Sequence, residues 1–144
     1  MVSQIAFLLD TNVLSEVMRP APDARLLDNL ARYEGELGIP APVAHELRFG
    51  WLRMPAGRRK DAIGHYLQDV VSLLPVIAYD AVAARVHAEL RAEAERDGQP
   101  LPFVDGQIAA IAMAHGLTLI TRNSRDFAAI KGLRLANWFT AAAS

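Results

Sequence analysis

The stretch Ile5-Ala6-Phe7-Leu8-Leu9-Asp10-Thr11-Asn12 decides how this chain folds. Its first five residues form an unbroken apolar run, which is typical of a strand buried on both faces of a parallel sheet. Asp10 ends the run, and Asp10, Thr11 and Asn12 offer capping side chains, which predicts a short helix over residues 13–18. The pattern therefore predicts a buried strand that carries a carboxylate at its carboxyl end, where α/β folds build their sites.

Strand and helix patterns alternate along the rest of the chain. Further strands are predicted over 36–39, 76–78, 117–121 and 133–136, and further helices over 26–33, 43–52, 63–74, 82–97, 106–114 and 123–130. Such alternation predicts an α/β fold in three layers, with a mostly parallel sheet flanked by helices. No repeat or linker interrupts the pattern, so residues 1–144 are predicted to form a single domain.

The composition restricts the chemistry that the chain can perform. Of its 144 residues 52% are hydrophobic and 22% charged, and cysteine is absent, so a thiolate metal site and disulfides are excluded. The formal net charge is −1, so nucleic acid would have to bind a local basic patch. The apolar run at residues 5–9 is too short for a signal peptide or a membrane span. We therefore expect a cytoplasmic protein with no membrane partner.

Acidic and amide side chains recur where strands end and helices begin. Asp10 and Asn123 each follow a predicted strand, while Glu46 and Asp105 lie near the starts of helices. Each alone has an ordinary explanation, such as a helix cap or a carboxylate beside the helix dipole. If they converge, each pair of carboxylates at ~5 Å costs about 3 kcal/mol at an effective dielectric of ~20. A hard divalent cation would reverse that cost, which predicts Mg²⁺ or Mn²⁺ and hydrolysis of a phosphodiester.

Four segments resemble the motifs of PIN-domain proteins, specifically the VapC-type toxins. They are Leu8-Leu9-Asp10-Thr11-Asn12-Val13-Leu14-Ser15-Glu16, Val43-Ala44-His45-Glu46-Leu47-Arg48-Phe49-Gly50, Asp105-Gly106-Gln107-Ile108-Ala109-Ala110-Ile111-Ala112 and Leu119-Ile120-Thr121-Arg122-Asn123-Ser124-Arg125-Asp126-Phe127. They occur in the family's order and span nearly the whole chain. The stretches Arg19-Pro20-Ala21-Pro22 and Pro55-Ala56-Gly57-Arg58 resemble the FitB-like branch.

The resemblance implies a fold, an activity and partners. It implies a five-stranded parallel sheet and a Mg²⁺- or Mn²⁺-dependent ribonuclease, the toxin of a type II toxin–antitoxin pair. It further implies an RNA substrate, a cognate antitoxin and a homodimer. Carried over by motif, Asp10 and Asp105 would bind the metal, and Glu46 would join them or orient water. Asn12 and Thr121 would support the carboxylates through hydrogen bonds.

The fourth motif departs from part of the family at Asn123, where some members carry a further acid. Asp126, one helical turn on, is an alternative source of that charge, so the number of metal ions stays open. Arg122 and Arg125 are candidates for contacts to RNA phosphates. The basic residues between 53 and 60 are equally well explained as phosphate contacts or as solvated helix ends.

Two other functions compete with the metal-dependent ribonuclease. A phosphotransferase that uses Asp10 as its nucleophile would resemble haloacid dehalogenases, which need a second Asp where this chain has Asn12, and no glycine-rich phosphate loop is present. Alternatively, a PIN domain with weak or no nuclease activity would act mainly as a binding module for a DNA-binding antitoxin.

Overall fold

The computed structural model describes residues 4–141 as alternating short strands and helices. The strands are β1 (Phe7–Leu9), β2 (Leu37–Pro40), β3 (Val76–Ile77), β4 (Thr118–Ile120) and β5 (Leu135–Ala136). The helices are α1 (Thr11–Val17), α2 (Ala24–Arg32), α3 (Ala41–Leu52), α4 (Arg58–Asp69), α5 (Ala81–Arg96), α6 (Phe103–Ala114) and α7 (Ser124–Phe127), with a 3₁₀ turn at Val71–Leu73.

The five strands form one sheet in the order β3-β2-β1-β4-β5, and every neighbouring pair is parallel. This confirms the predicted α/β class and the five-stranded parallel sheet. Leu8 at the centre pairs in register with Gly38 on one side and Leu119 on the other. The chain first moves outward from β1 to β3 and then returns to β4 on the other side of β1. The strand order therefore reverses between β1 and β4, which is where sheets of this kind form their sites.

The hydrophobic core lies against these two central strands. Leu8, Leu9, Leu119 and Ile120 are completely buried, as the unbroken apolar run predicted. Helix α6 contributes a largely apolar surface rich in alanine and isoleucine, in which residues 108–112 are all buried. A helix with so little polar surface has to be covered on most sides, so its one charged side chain, Asp105, lies close to the core.

Four predicted helix boundaries were wrong by three residues or more, including the start of α4, which is Arg58 rather than residue 63, and the end of α7, which is Phe127 rather than residue 130. The apolar periodicity over residues 63–74 predicted one helix. The structure instead ends α4 at Asp69, and a 3₁₀ turn follows at Val71–Leu73. Both forms keep apolar residues such as Val71 turned inward, so periodicity alone does not separate them. Helix α6 begins at Phe103 rather than at residue 106, and Asp105 therefore lies within its first turn.

None of the helices in the described part of the chain is long and apolar enough to cross a membrane.

Candidate active site

Asp10 stands at the switch point and is held by three hydrogen bonds. It follows β1 and caps α1, so its Oδ1 accepts from the backbone N–H of Thr11 at 2.8 Å. Its Oδ2 accepts from the hydroxyl of Thr121 at 2.9 Å and from the side-chain amide of Asn12 at 3.3 Å. Only 8% of Asp10 is exposed. The carboxylate is therefore fixed in one orientation, and it is partly desolvated.

The hydroxyl of Thr121 joins the ends of β1 and β4. Besides donating to Asp10, it accepts from the Asn12 amide at 3.2 Å and from the Asn123 backbone N–H at 3.1 Å. The Asn12 oxygen accepts from the Arg122 backbone N–H at 3.0 Å. These bonds are the ones expected if Asn12 and Thr121 support the carboxylate. They also place the backbone of Asn123 beside the cluster, although the Asn123 side chain is exposed and does not cap α7.

Asp105 is the carboxylate that its surroundings perturb most clearly. Burial raises its pKa first, and the negative charges of Asp10, Asp126 and Glu46 raise it further, in that order. A carboxyl group feels such neighbours only when they lie close and are poorly screened. The structure therefore brings four separately encoded acids, on four different elements, into one electrostatic environment.

These side chains do not form a preformed metal-binding site. Within residues 4–141 no group of three or more His, Asp or Glu side chains stands close enough to hold one ion. Mg²⁺, however, is usually bound by one or two carboxylates, with water and substrate phosphate completing its shell. The oxygen-only donors and the unfavourable burial of Asp105 among like charges fit such a cation.

Glu46 precedes Asp105 in the sequence and Asp126 follows it, and the two acids lie on different helices, α3 and α7. Glu46 is exposed on α3 and lines an open groove together with His45, Phe49, Tyr79, Val104 and Gln107. Asp126 is exposed in the first turn of α7 and, with Arg125, borders a separate cleft near the end of α5. Asp126 perturbs the Asp105 pKa more than Glu46 does.

The Arg122 side chain contacts Phe139 and Glu16. Its guanidinium lies 4.0 Å from the ring centre of Phe139 and 3.6 Å from a carboxylate oxygen of Glu16. Glu16 is 5% exposed and also accepts from the Asp23 backbone N–H at 2.9 Å and from Arg19 at 3.3 Å. Glu16 lies within the first motif, whose pattern predicted no role for it. Its side chain links α1 to the loop that follows β4.

His87 is a second group that sequence reasoning missed. The ring is 2% exposed, its Nδ1 lies 2.7 Å from the Tyr79 hydroxyl, and its buried Nε2 has no hydrogen-bond partner among residues 4–141. Burial lowers its pKa, and the positive charge of Arg91 lowers it further. A β-carbon on Gly106 would lie 2.5 Å from Nε2, so glycine is needed where α6 crosses this ring. His87 therefore packs directly against the residue that follows Asp105.

Comparison with known proteins assigns this arrangement to a family. The family model of the PIN domain matches residues 7–133, which include β1, α3, α6 and β4. The chain therefore belongs to the PIN-domain family, among its VapC- and FitB-type members, which confirms the resemblance seen in the motifs.

Individual relatives match over most of their length. The chain is 38% identical over 136 residues to the VapC ribonuclease Y4jK of Sinorhizobium fredii, which covers 90% of this chain and 95% of that protein. It is 36% identical over 128 residues to toxin FitB of Neisseria gonorrhoeae, covering 83% and 89%. The structure of FitAB bound to an IR36 DNA fragment superposes with a TM-score of 0.85 at 29% identity, covering 96% and 99%.

Proposed function

We propose that this chain is the toxin of a type II toxin–antitoxin system and acts as a divalent-metal-dependent endoribonuclease. The observation that carries the proposal is the raised pKa of Asp105, which Asp10, Asp126 and Glu46 each push upward. A metal-dependent ribonuclease needs carboxylates close together to hold its cation against a phosphate. The similarity to a VapC ribonuclease and to toxin FitB supports the same reaction.

Asp10 and Asp105 are the residues that would hold Mg²⁺ or Mn²⁺, with Glu46 as a further ligand or as the group that orients water. When bound, the ion supplies an acidified water and neutralises charge on the phosphate. Thr121 and Asn12 hold the Asp10 carboxylate in one orientation, so little reorganisation is needed when substrate arrives. Asn123 and Asp126 border the site, and Arg122 or Arg125 would contact RNA phosphates through guanidinium N–H groups left free.

An antitoxin encoded beside this chain is the proposed protein partner. Toxin FitB is a relative, and one chain of the structure of FitAB bound to DNA has the same fold as this chain over nearly its whole length. A homodimer is proposed as well. Phe49 and Val104, which are 52% and 44% exposed, line the groove beside Glu46. Apolar side chains exposed together mark an interaction surface, and the mass of the purified protein in solution would test the dimer. The single domain and the cytoplasmic location stay predictions.

The experiment is cleavage of a labelled RNA by the purified chain, freed of its antitoxin. We expect cleavage with Mg²⁺ or Mn²⁺, none with EDTA, and a loss of at least a hundredfold in Asp10→Ala and Asp105→Ala. The control is Asp28→Asn, an exposed acid on α2. Normal cleavage by both site variants would reject the assignment. A folded wild type that binds an antitoxin but cleaves no RNA would be a binding module.

A further inference from the structure

The positive charge of this chain is concentrated in one short segment. Residues 48–60, here called the basic segment, contain five basic side chains and no acidic one, whereas the other 131 residues contain ten basic and sixteen acidic ones, a net charge of −6. The five are Arg48, Arg53, Arg58, Arg59 and Lys60. In the described structure, residues 4–141, none of them is paired with a carboxylate. Their charge is therefore available to an outside anion.

Aromatic rings hold the basic segment in shape. Trp51 donates its indole N–H to the Lys60 carbonyl at 2.9 Å, and its ring fills the space against Gly64, where a β-carbon would lie 2.9 Å from the indole nitrogen. The charged groups of Arg48 and Lys60 lie 5.7 and 5.6 Å from the Trp51 ring. Arg53 lies 5.2 Å from the ring of Phe49. Stacking of this kind fixes cations without using up all of their N–H donors.

The basic segment begins on the helix that carries Glu46. Arg53 follows Glu46 by seven positions, which is about two helical turns, and as the residue that caps the C-terminal end of α3 it lies on the side of the helix that carries Glu46, about 10 Å away along the axis. Arg58 and Arg59 are exposed at the start of α4, just beyond the turn. A polyanion that reaches Glu46 would meet Arg53 next, with Arg58 and Arg59 beyond it.

We propose that the basic segment binds the sugar-phosphate backbone of the RNA on one side of the cleavage site. The inference rests on the proposed function, because it takes the acidic cluster as the place where RNA is cut. RNA is favoured over an acidic protein because Arg53 lies on the side of α3 that carries Glu46, and because residues 48–60 carry five positive charges and no negative one.

The test compares two matched double variants. Arg58→Gln with Arg59→Gln removes two charges from the basic segment, and Arg85→Gln with Arg96→Gln removes two exposed charges from α5. Binding of a fluorescent single-stranded RNA of about 20 nucleotides is measured from 50 to 200 mM salt, with EDTA present to prevent cleavage. Each phosphate contact to single-stranded RNA adds about 0.7 to the slope of log affinity against log salt.

The expected result is a slope that falls by about 1.4 in R58Q/R59Q and is unchanged in R85Q/R96Q. The ratio of wild-type to R58Q/R59Q affinity should therefore change about sevenfold between 50 and 200 mM salt. Unchanged RNA binding by R58Q/R59Q, in a wild type that cleaves RNA with metal, would overturn this inference and leave the proposed function standing. If R58Q/R59Q binds RNA normally but loses affinity for an acidic peptide such as polyglutamate, the basic segment binds an acidic protein instead. That result would also overturn this inference and leave the proposed function standing. A wild type that neither binds nor cleaves RNA would overturn both.

Discussion

The close contact between His87 and Gly106 predicts the effect of Gly106→Ala on stability. Helix propensity and overpacking change the free energy of unfolding in opposite directions there. Alanine is favoured over glycine inside a helix by about 1 kcal/mol, so Gly106→Ala at an unhindered site of α6 would stabilise the protein. Here the new β-carbon would lie 2.5 Å from a buried ring nitrogen and 2.7 Å from a ring carbon. Overpacking of that kind costs about 1–3 kcal/mol. We therefore expect a net loss of about 1 kcal/mol in the free energy of unfolding.

The His87 ring is the reason for the loss, so removing it should reverse the sign. In a His87→Ala background, Gly106→Ala should stabilise the chain by about 1 kcal/mol, which gives a coupling energy of about 2 kcal/mol between the two positions. The four proteins are compared by urea unfolding in EDTA at pH 7. Because Asp105 precedes Gly106, the single variant G106A should also bind Mg²⁺ more weakly than the wild type. Stabilisation by G106A of equal size in both backgrounds would refute the close contact.

Three further predictions concern the site and its surroundings. Thr121→Val keeps the volume but removes the hydroxyl that contacts Asp10, so it should lower the free energy of unfolding by about 2–4 kcal/mol. Thr121→Ser keeps the hydroxyl, so its free energy of unfolding should fall much less. Urea unfolding measures both variants. Glu16→Gln removes the charge paired with Arg122 and should cost about 1–2 kcal/mol in the same assay, and no change would show that the ion pair is not stabilising. Because the Asp105 pKa is raised, ionising this group opposes folding, so the contribution of Asp105 to the stability of the metal-free protein should fall as pH rises through that pKa. Thermal melting in EDTA should therefore give the same melting temperature for Asp105→Asn and the wild type near pH 3, and a higher melting temperature for Asp105→Asn at pH 7. Equal melting temperatures at both pH values would contradict the buried acidic cluster.

Much of the site could be predicted because it depends on local pattern. An apolar run that ends in Asp10 identifies a buried strand and the end at which its carboxylate lies, and the strand before Thr121 is apolar except at Thr118. Helix boundaries were less predictable, since Val71 turns inward in a 3₁₀ turn as it would in an α-helix. The fit of His87 against Gly106 depends on the angle and distance at which the consecutive helices α5 and α6 cross, which no spacing rule reveals. The ion pair of Glu16 with Arg122 joins residues far apart in the sequence, so it too is invisible to local pattern.

The central claim, that Asp10 and Asp105 share one divalent cation, is tested most directly by calorimetric titration of the antitoxin-free chain with Mn²⁺. The account predicts saturable binding by the wild type and by the exposed-acid control Asp28→Asn, and at least tenfold weaker binding by Asp10→Asn and by Asp105→Asn. Equal affinity in all four proteins would contradict it.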